Sequence, residues 1–240
     1  MTFDLAHVRA LLPGREIDWF DTIDSTMIGS AHTGRIVGAE EQTAGRGRHG
    51  RSWHSPRGTG LYVSMALELP IATPVVTLAL GLATRAAIAK TTRLTPDLRW
   101  PNDVLLRGRK CAGILAQLEG DAIVAGIGIN VSQSEFPEGL DTPATSLLLE
   151  GVAVSREDLL VALVHAVDDC CRILSEEGPD AIMRQFAQAS SYASGRRVRA
   201  EAAGRNIEGV TRGLNPSGFL IVREDNGAET TILAGGVRPI

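Results

Sequence analysis

The sequence predicts a mixed α+β domain followed by a small β-barrel, and three observations carry that prediction. Residues 60–69 alternate strictly: Leu61, Val63, Met65, Leu67 and Leu69 share one face, and Tyr62, Ser64, Ala66 and Glu68 share the other. Leu159, Leu160, Leu163, Val164, Val167, Cys170, Cys171 and Leu174 recur at helical spacing. Beyond Ser190 short β-rich segments are separated by Asn215-Pro216-Ser217-Gly218 and Asp225-Asn226-Gly227, both strong turn signals. The expected division of the 240 residues is 1–190 and 191–240, with the first part built of strands in hairpins and helices to one side of them.

The elements follow in order. A short amphipathic helix is expected over residues 3–12 and a strand over 16–20. Asp21 to Met27, "DTIDSTM", reads as a turn entering a helix capped by Ser25 or Thr26. Residues 35–41 read as the next strand, and a glycine–arginine stretch leaves it. Thr73 and Pro74 start a helix that runs to about Thr92. Residues 98–100 and 104–106 form strands joined by the turn residues Pro101, Asn102 and Asp103. Residues 110–118 and 121–131 make a hairpin across Glu119-Gly120. Residues 132–145 are polar, hold proline and glycine, and read as a mobile loop. Ser155-Arg156-Glu157-Asp158 resembles a capping box, and a second long helix precedes one over 179–189.

Composition narrows the function classes. Hydrophobic content is 44% and charged content 22%, an ordinary globular balance. A net charge of -4 argues against a general nucleic-acid binder. Cys111, Cys170 and Cys171 are odd in number and show no C-x-x-C spacing, which fits a reducing, cytoplasmic setting and neither a disulfide framework nor a zinc site. No basic region followed by an apolar core opens the chain, and the apolar stretch over residues 75–89 is interrupted by Thr77, Gly81, Thr84 and Arg85, so neither a secretory signal nor a membrane span is expected.

Against that acidic background, "AGRGRHGRSW" over residues 44–53 is a basic island, with no acid between Gln42 and Gly60. Glycines let the backbone come close to a ligand, and arginine forks pair with phosphate or carboxylate. The plain alternative is a solvated basic loop or an RNA contact. No Gly-Lys-Ser/Thr closes the stretch, so it is not a Walker loop. In "RWPNDVLLRGRKCAGI", Lys110 opens an apolar strand, where a lysine needs either solvent or a purpose; a strand-edge lysine is the bland reading. "GIGINV" is a glycine-relieved strand ending in Asn130, which either faces a nucleotide or caps the strand. His49, His54 and His165 lack metal spacing, and His165 reads as a packing residue of its helix.

These stretches occur together and in order, and here the sequence resembles the biotin protein ligases. The matching motifs are "DSTM", "EEQTAGRGRHGRSW", "GLYVSM", "RWPNDV", "RKCAGIL", "GIGINV" and "ATSL". The resemblance covers residues 19–147 well and the C-terminal part more loosely. It implies a catalytic domain related to class II aminoacyl-tRNA synthetases and an SH3-like C-terminal barrel. It also implies a two-step reaction with ATP and Mg2+: biotin becomes biotinyl-5′-AMP, then passes to a lysine of a biotin carboxyl carrier protein. By that resemblance Ser25, Thr26, Gln42, Gly45, Arg46, Arg48, Lys110 and Gly113 bind biotin, with Lys110, Arg48 and Arg46 also catalytic. Arg51, Trp53, Asn102, Asp103, Lys110 and Asn130 fall on the ATP and adenylate side, Asp103 supporting the phosphate or magnesium region.

The departures are Arg99 where lysine is common, Met27 where asparagine is frequent, and a final "LAGGV" without the usual acid after its glycines. About fifteen residues precede the matching part, too few for a DNA-reading helix pair. The expectation is a non-repressor enzyme without DNA or membrane partners, a monomer or weak homodimer. The rivals are a lipoate or octanoate ligase of the same superfamily, a non-enzymatic biotin or nucleotide sensor, and an RNA-binding module.

Overall fold

The computed structural model describes residues 3–28, 34–69, 73–202 and 204–240. Strands β1 (Glu16–Phe20), β2 (Arg35–Ala39), β3 (Gly60–Leu67), β4 (Asp97–Arg99), β5 (Asp103–Leu106), β6 (Arg109–Glu119) and β7 (Ala122–Asn130) form one sheet in the order β1-β2-β3-β7-β6-β5-β4. All neighbours are antiparallel except β1 and β2, which run parallel from Glu16↔Arg35 to Phe20↔Ala39. The sheet is therefore mixed: β1 and β2 start side by side, so β2 does not close on β1 as the hairpin strands close on each other. The helix expected after Met27 lies outside the described residues.

The central strands bury both faces. In β3 even Ser64 is fully buried, which the alternation alone did not predict. One face packs against the long helices. Leu61, Val63, Met65, Ala112, Ile114, Ile127 and Ile129 join α2 (Thr73–Thr92) and α3 (Arg156–Glu176) in one core. Helix α2 is long and apolar enough to cross a membrane by length and composition, yet 67% of that stretch is buried between the sheet, α3 and α4 (Pro179–Ala189), as befits a core helix. On α3, His165 is exposed; the packing role expected for it does not hold, because the buried stripe runs through Leu163, Val164 and Val167 and passes it by. The opposite face of the sheet presents Val124, Gly126, Gly128 and Asn130 of β7, and it carries the candidate site.

The chain closes with β8 (Ser194–Ala202), β9 (Arg205–Leu214), β10 (Leu220–Glu224), β11 (Glu229–Ile232) and β12 (Val237–Pro239), an antiparallel sheet ordered β11-β10-β9-β8-β12. Its core residues Val198, Ala200, Ile207, Leu220, Val222, Ile232 and Val237 are continuous with the main core. Trp100 Nε1 donates to Gly218 O at 3.0 Å, fixing the small sheet to the end of β4.

The start of α3 is tied to the first strands by a buried ion pair. Ser155 caps the helix by accepting from Asp158 N, and Arg156 donates Nη1 to Glu40 Oε2 at 2.9 Å and Nη2 to Glu40 Oε1 at 3.3 Å. Trp19 Nε1 adds a third bond to Glu40 at 3.1 Å, while Phe3 stacks on the Trp19 ring. Removing one partner strands a buried charge, which costs about 3–5 kcal/mol. Arg156→Ala is therefore expected to lose about that much in urea unfolding, and Glu40→Ala/Arg156→Ala less than the sum of the single changes. Strict additivity would show that the two charges do not depend on each other.

Candidate active site

A cavity of about 870 Å3 opens on the sheet face away from the helices. Twelve of the thirteen residues expected from the sequence line it: Ser25, Thr26, Gln42, Arg46, Arg48, Arg51, Trp53, Asn102, Asp103, Lys110, Gly113 and Asn130. Gly45 does not. It is buried one step behind, where a Cβ would fall 2.5 Å from Trp53 O and 2.8 Å from Ser55 Oγ, so its part is to let the loop fold onto itself.

One end of the cavity is a chain of neutral hydrogen bonds. Thr26 N donates to Gln42 Oε1 at 2.9 Å, which orients the amide. Gln42 Nε2 then donates to Ser55 Oγ at 2.8 Å, and Ser55 Oγ to Trp53 O at 3.1 Å. The Thr26 hydroxyl lies 3.2 Å from Gln42 Oε1 and 2.7 Å from Ser64 Oγ. Thr26, Ser25 and Ser64 are all buried. Ser64 was not among the expected residues; a hydroxyl inside a strand that buries both faces was the signal.

The other end is cationic, and a β-bulge makes it so. In the β5–β6 ladder Asp103 pairs with Gly113 and Val104 with Ala112, but Leu105 pairs with Lys110, leaving Cys111 as the extra residue. Residues 110 and 113 are an odd number apart and would face opposite sides of a regular strand. The bulge brings them to the same side: a Cβ on Gly113 would sit 3.1 Å from Lys110 Cε. Lys110 Nζ reaches Asp103 Oδ1 at 2.5 Å, and Arg99 Nη2 holds Asp103 Oδ2 at 2.5 Å. Burial would raise the Asp103 carboxyl, but Lys110 and Arg99 outweigh it and hold it below the usual carboxylate range. Asp103 thus sits between two cations, and it is through Lys110 and Arg99 that it borders the region expected to support the phosphates. Burial pushes the neighbouring Cys111 thiol up to about 12, so it is no nucleophile at neutral pH.

Trp53 covers the floor between the two ends. Gly113 and Gly128 face each other across the β6–β7 ladder, and the indole lies so close that a Cβ on Gly128 would fall 2.4 Å from its Nε1. Lys110 Nζ stands 5.2 Å above the ring. The indole Nε1 is buried and donates to nothing among the described residues.

The arginine loop forms the rim. Arg46 and Arg48 make no ion pair among the described residues. Arg48 Nη1 donates instead to Gly235 O at 2.9 Å, with Asn102 Oδ1 at 3.4 Å. Partial burial lowers the Arg48 pKa while Asp103 nearby pulls it up. Arg51 is spent on Asp141 at 2.8 Å, which Arg238 also reaches at 3.0 Å. The small C-terminal sheet therefore takes part in the site even though "LAGGV" lacks its usual acid: Gly235 and Arg238 touch the rim, and Arg199, Glu201 and Asn206 line the cavity. Asn102 Nδ2 donates to Ile114 O at 2.8 Å, and Asn130 Nδ2 to Thr145 O at 3.0 Å, so both amides brace the walls with one end.

The sheet face thus carries a cavity with a polar slot at one end, a lysine and two guanidinium groups without carboxylate partners among the described residues at the other, and a second small sheet at the rim, an arrangement suited to a small anionic ligand. Residues 14–134 match the Biotin/lipoate A/B protein ligase family, and residues 193–237 match the Biotin protein ligase C terminal domain. The chain is 34% identical over 226 residues to the biotin–[acetyl-CoA-carboxylase] ligase of Mycobacterium tuberculosis, covering 90% of this chain and 82% of that one. It is 29% identical to the bifunctional ligase/repressor BirA of Bacillus subtilis, over 89% of this chain and 71% of the other. The structure of the Aquifex aeolicus biotin protein ligase in complex with biotin and ATP superposes with a TM-score of 0.83 at 30% identity, covering 94% of this chain and 99% of that one. The chain belongs to the biotin protein ligase family.

The Asp103 pairing has a pH signature. A carboxyl whose folded pKa is depressed contributes stability above its unfolded pKa and loses it as pH falls through the folded value. Asp103→Asn is expected to destabilise by about 3 kcal/mol at neutral pH, because Arg99 is left buried without its partner. The gap between parent and variant is expected to hold down to about pH 4 and to narrow below it, as pH falls through the lower value of the folded protein. Urea unfolding at both pH values measures this, and an equal gap at each would refute the pairing as the source.

Proposed function

We propose that this chain activates biotin with ATP and passes the biotinyl group to a lysine of a biotin carboxyl carrier protein. The observation that carries the reading is a slot of fixed neutral hydrogen-bonding groups, Ser25, Thr26 and Gln42, with Ser64 holding Thr26 from behind, in one cavity with a cationic end, Lys110, Arg46 and Arg48. A ureido ring needs both donors and acceptors in fixed places, and a carboxylate approaching a phosphate needs its charge neutralised.

In the first step a biotin carboxylate oxygen attacks the α-phosphorus of ATP. The bond from that phosphorus to the β-phosphate bridging oxygen breaks, and pyrophosphate leaves. Both reactants are anions, so the barrier is largely electrostatic and positional. In this reading Lys110 meets both anions; its ammonium at the cavity wall, held by Asp103, supports that role. Arg46 and Arg48 carry charge that no carboxylate of the described residues consumes. In the second step the carrier lysine amine attacks the acyl carbon, the amide forms and AMP leaves. The mixed anhydride between the steps is destroyed by water, and the rim loop pinned through Arg48 and Arg51 limits water's access to it.

Magnesium belongs to this reading as the nucleotide's companion, and it supplies charge relief on the phosphates. Asp103 and Asp141 are already engaged with two cations each, and no group of three potential ligands occurs among the described residues. That donor set fits an ion held mainly by phosphate oxygens and water. The three free thiols support a cytoplasmic setting for the reaction.

Two outcomes are expected. Lys110→Gln keeps the length of the side chain and removes its charge, so pyrophosphate release with biotin should fall on the order of 10²-fold or more in a folded protein. Near-normal release would remove Lys110 from the reaction. The second outcome separates biotin from lipoate. A dithiolane ring offers the slot neither donors nor acceptors, and each hydrogen bond that a ureido ring would make there and it would not costs about 1–3 kcal/mol. Biotin should therefore be favoured by at least about 10³-fold in adenylate formation, and Thr26→Val should weaken biotin more than lipoate. Comparable turnover of the two acids by the unmodified protein would move the assignment to the lipoate branch.

A further inference from the structure

We infer that Glu150 is a positioning residue for Lys110, acting through the chain segment 143–146. Its side chain is only 1% exposed, an unusual place for a carboxylate. Glu150 Oε1 accepts from Thr145 Oγ1 at 2.7 Å and from Arg109 Nη2 at 2.6 Å, and Oε2 lies 3.5 Å from Arg107 Nε. Arg109 and Arg107 are 42% and 77% exposed, so a surface acid or water would satisfy either of them. Thr145 is different: it is fully buried, and Glu150 is the side chain its hydroxyl reaches.

Thr145 leads to Lys110. Residues 143–145 lie beside Lys110 as a short parallel extension of the sheet. Lys110 N donates to Pro143 O at 2.8 Å, and Thr145 N donates to Lys110 O at 2.9 Å. Asn130 Nδ2 closes the group by donating to Thr145 O at 3.0 Å, with Lys110 O at 3.4 Å. Both main-chain groups of Lys110 are thus held by a segment outside the regular strands. One carboxylate grips that segment through Thr145 and the strand itself through Arg109, the residue beside Lys110. The polar stretch expected to be a mobile loop is pinned at this end.

The bulge explains why such a clamp is needed. A β-bulge leaves its strand with a broken ladder and a local bend. Lys110 immediately precedes the bulged Cys111 and is aimed by that bend, so the regular ladder alone does not fix its direction. Asp103 fixes the ammonium, and Glu150 fixes the backbone that carries it. Glu150 lies behind this arrangement and makes no contact with the Lys110 side chain.

The inference rests on the proposed adenylation, and its test keeps the two apart. Single-turnover pyrophosphate release and equilibrium biotin affinity are measured for the parent, Glu150→Ala, Glu150→Gln and Thr145→Val, each alone and in the Lys110→Gln background, with thermal melts to establish folding. A misplacement on the ångström scale far from the reacting atoms costs on the order of 10²-fold in rate. Glu150→Ala should show about that loss while biotin affinity changes by less than about threefold, the pattern of an interaction that matters only in the transition state. Glu150→Gln, which still accepts from Thr145, should recover at least about tenfold of the loss. Thr145→Val, which keeps every main-chain bond, should lose about tenfold and stands in should Glu150→Ala fail to fold. In the Lys110→Gln background each change should add less than about twofold, because its route to the chemistry is already gone. Multiplicative losses in that background, or a folded Thr145→Val with the parent's rate, would overturn the inference. No pyrophosphate from the parent would instead overturn the adenylation reading.

Discussion

A single extra residue in β6 decides where the reactive end of the cavity lies. Without the bulge at Cys111, Lys110 would point into the apolar core between the sheet and α2, where a charged amine is costly to bury. With it, the ammonium emerges beside Gly113, meets Asp103 and stands over the Trp53 ring. The ion pair and the stacking of the ammonium over the indole both presuppose that one shift in register.

The electrostatics of the site follow a division of labour among its cations. Arg99 and Arg51 are neutralised by Asp103 and Asp141, and they hold the walls together. Arg46 and Arg48 keep their charge available, and Arg48 is held by neutral oxygens, the Gly235 carbonyl and the Asn102 amide. A neutral acceptor steers a guanidinium without cancelling it, so an incoming anion meets nearly its full charge. The acidic balance of the whole chain keeps that attraction local to the cavity.

Much of this was legible in the sequence, for identifiable reasons. Helix α3 and strand β3 announce themselves by period, α2 by its Thr73-Pro74 start, β7 by the turn at Glu119-Gly120, and turn residues mark the C-terminal strands. The twelve site residues that converge on one cavity were expected from the family resemblance of the motifs that carry them. What stayed hidden depends on long-range pairing. The parallel β1–β2 pair cannot be read from either strand alone. Glu150 follows three leucines and looks like the polar end of an apolar run, until folding buries it beside Thr145. The partners of Asp103 had to be found in space, since one lies four residues before it and the other seven after it across a bulge. The exposure of His165 shows the opposite failure: a residue adjacent in sequence to an apolar stripe need not belong to it.

The contact between Arg48 and Gly235 joins residues 187 positions apart. During synthesis the large sheet and the arginine loop leave the ribosome well before β12, and domains fold broadly in the order they emerge. The rim of the cavity therefore waits for a carbonyl of the small sheet, made after all of the large one, and so does the Arg238 arm that completes the Asp141 bridge. A nascent chain can hold most of the cavity's side chains in place and still lack the far wall, which ties the onset of a closed site to the synthesis of the small sheet.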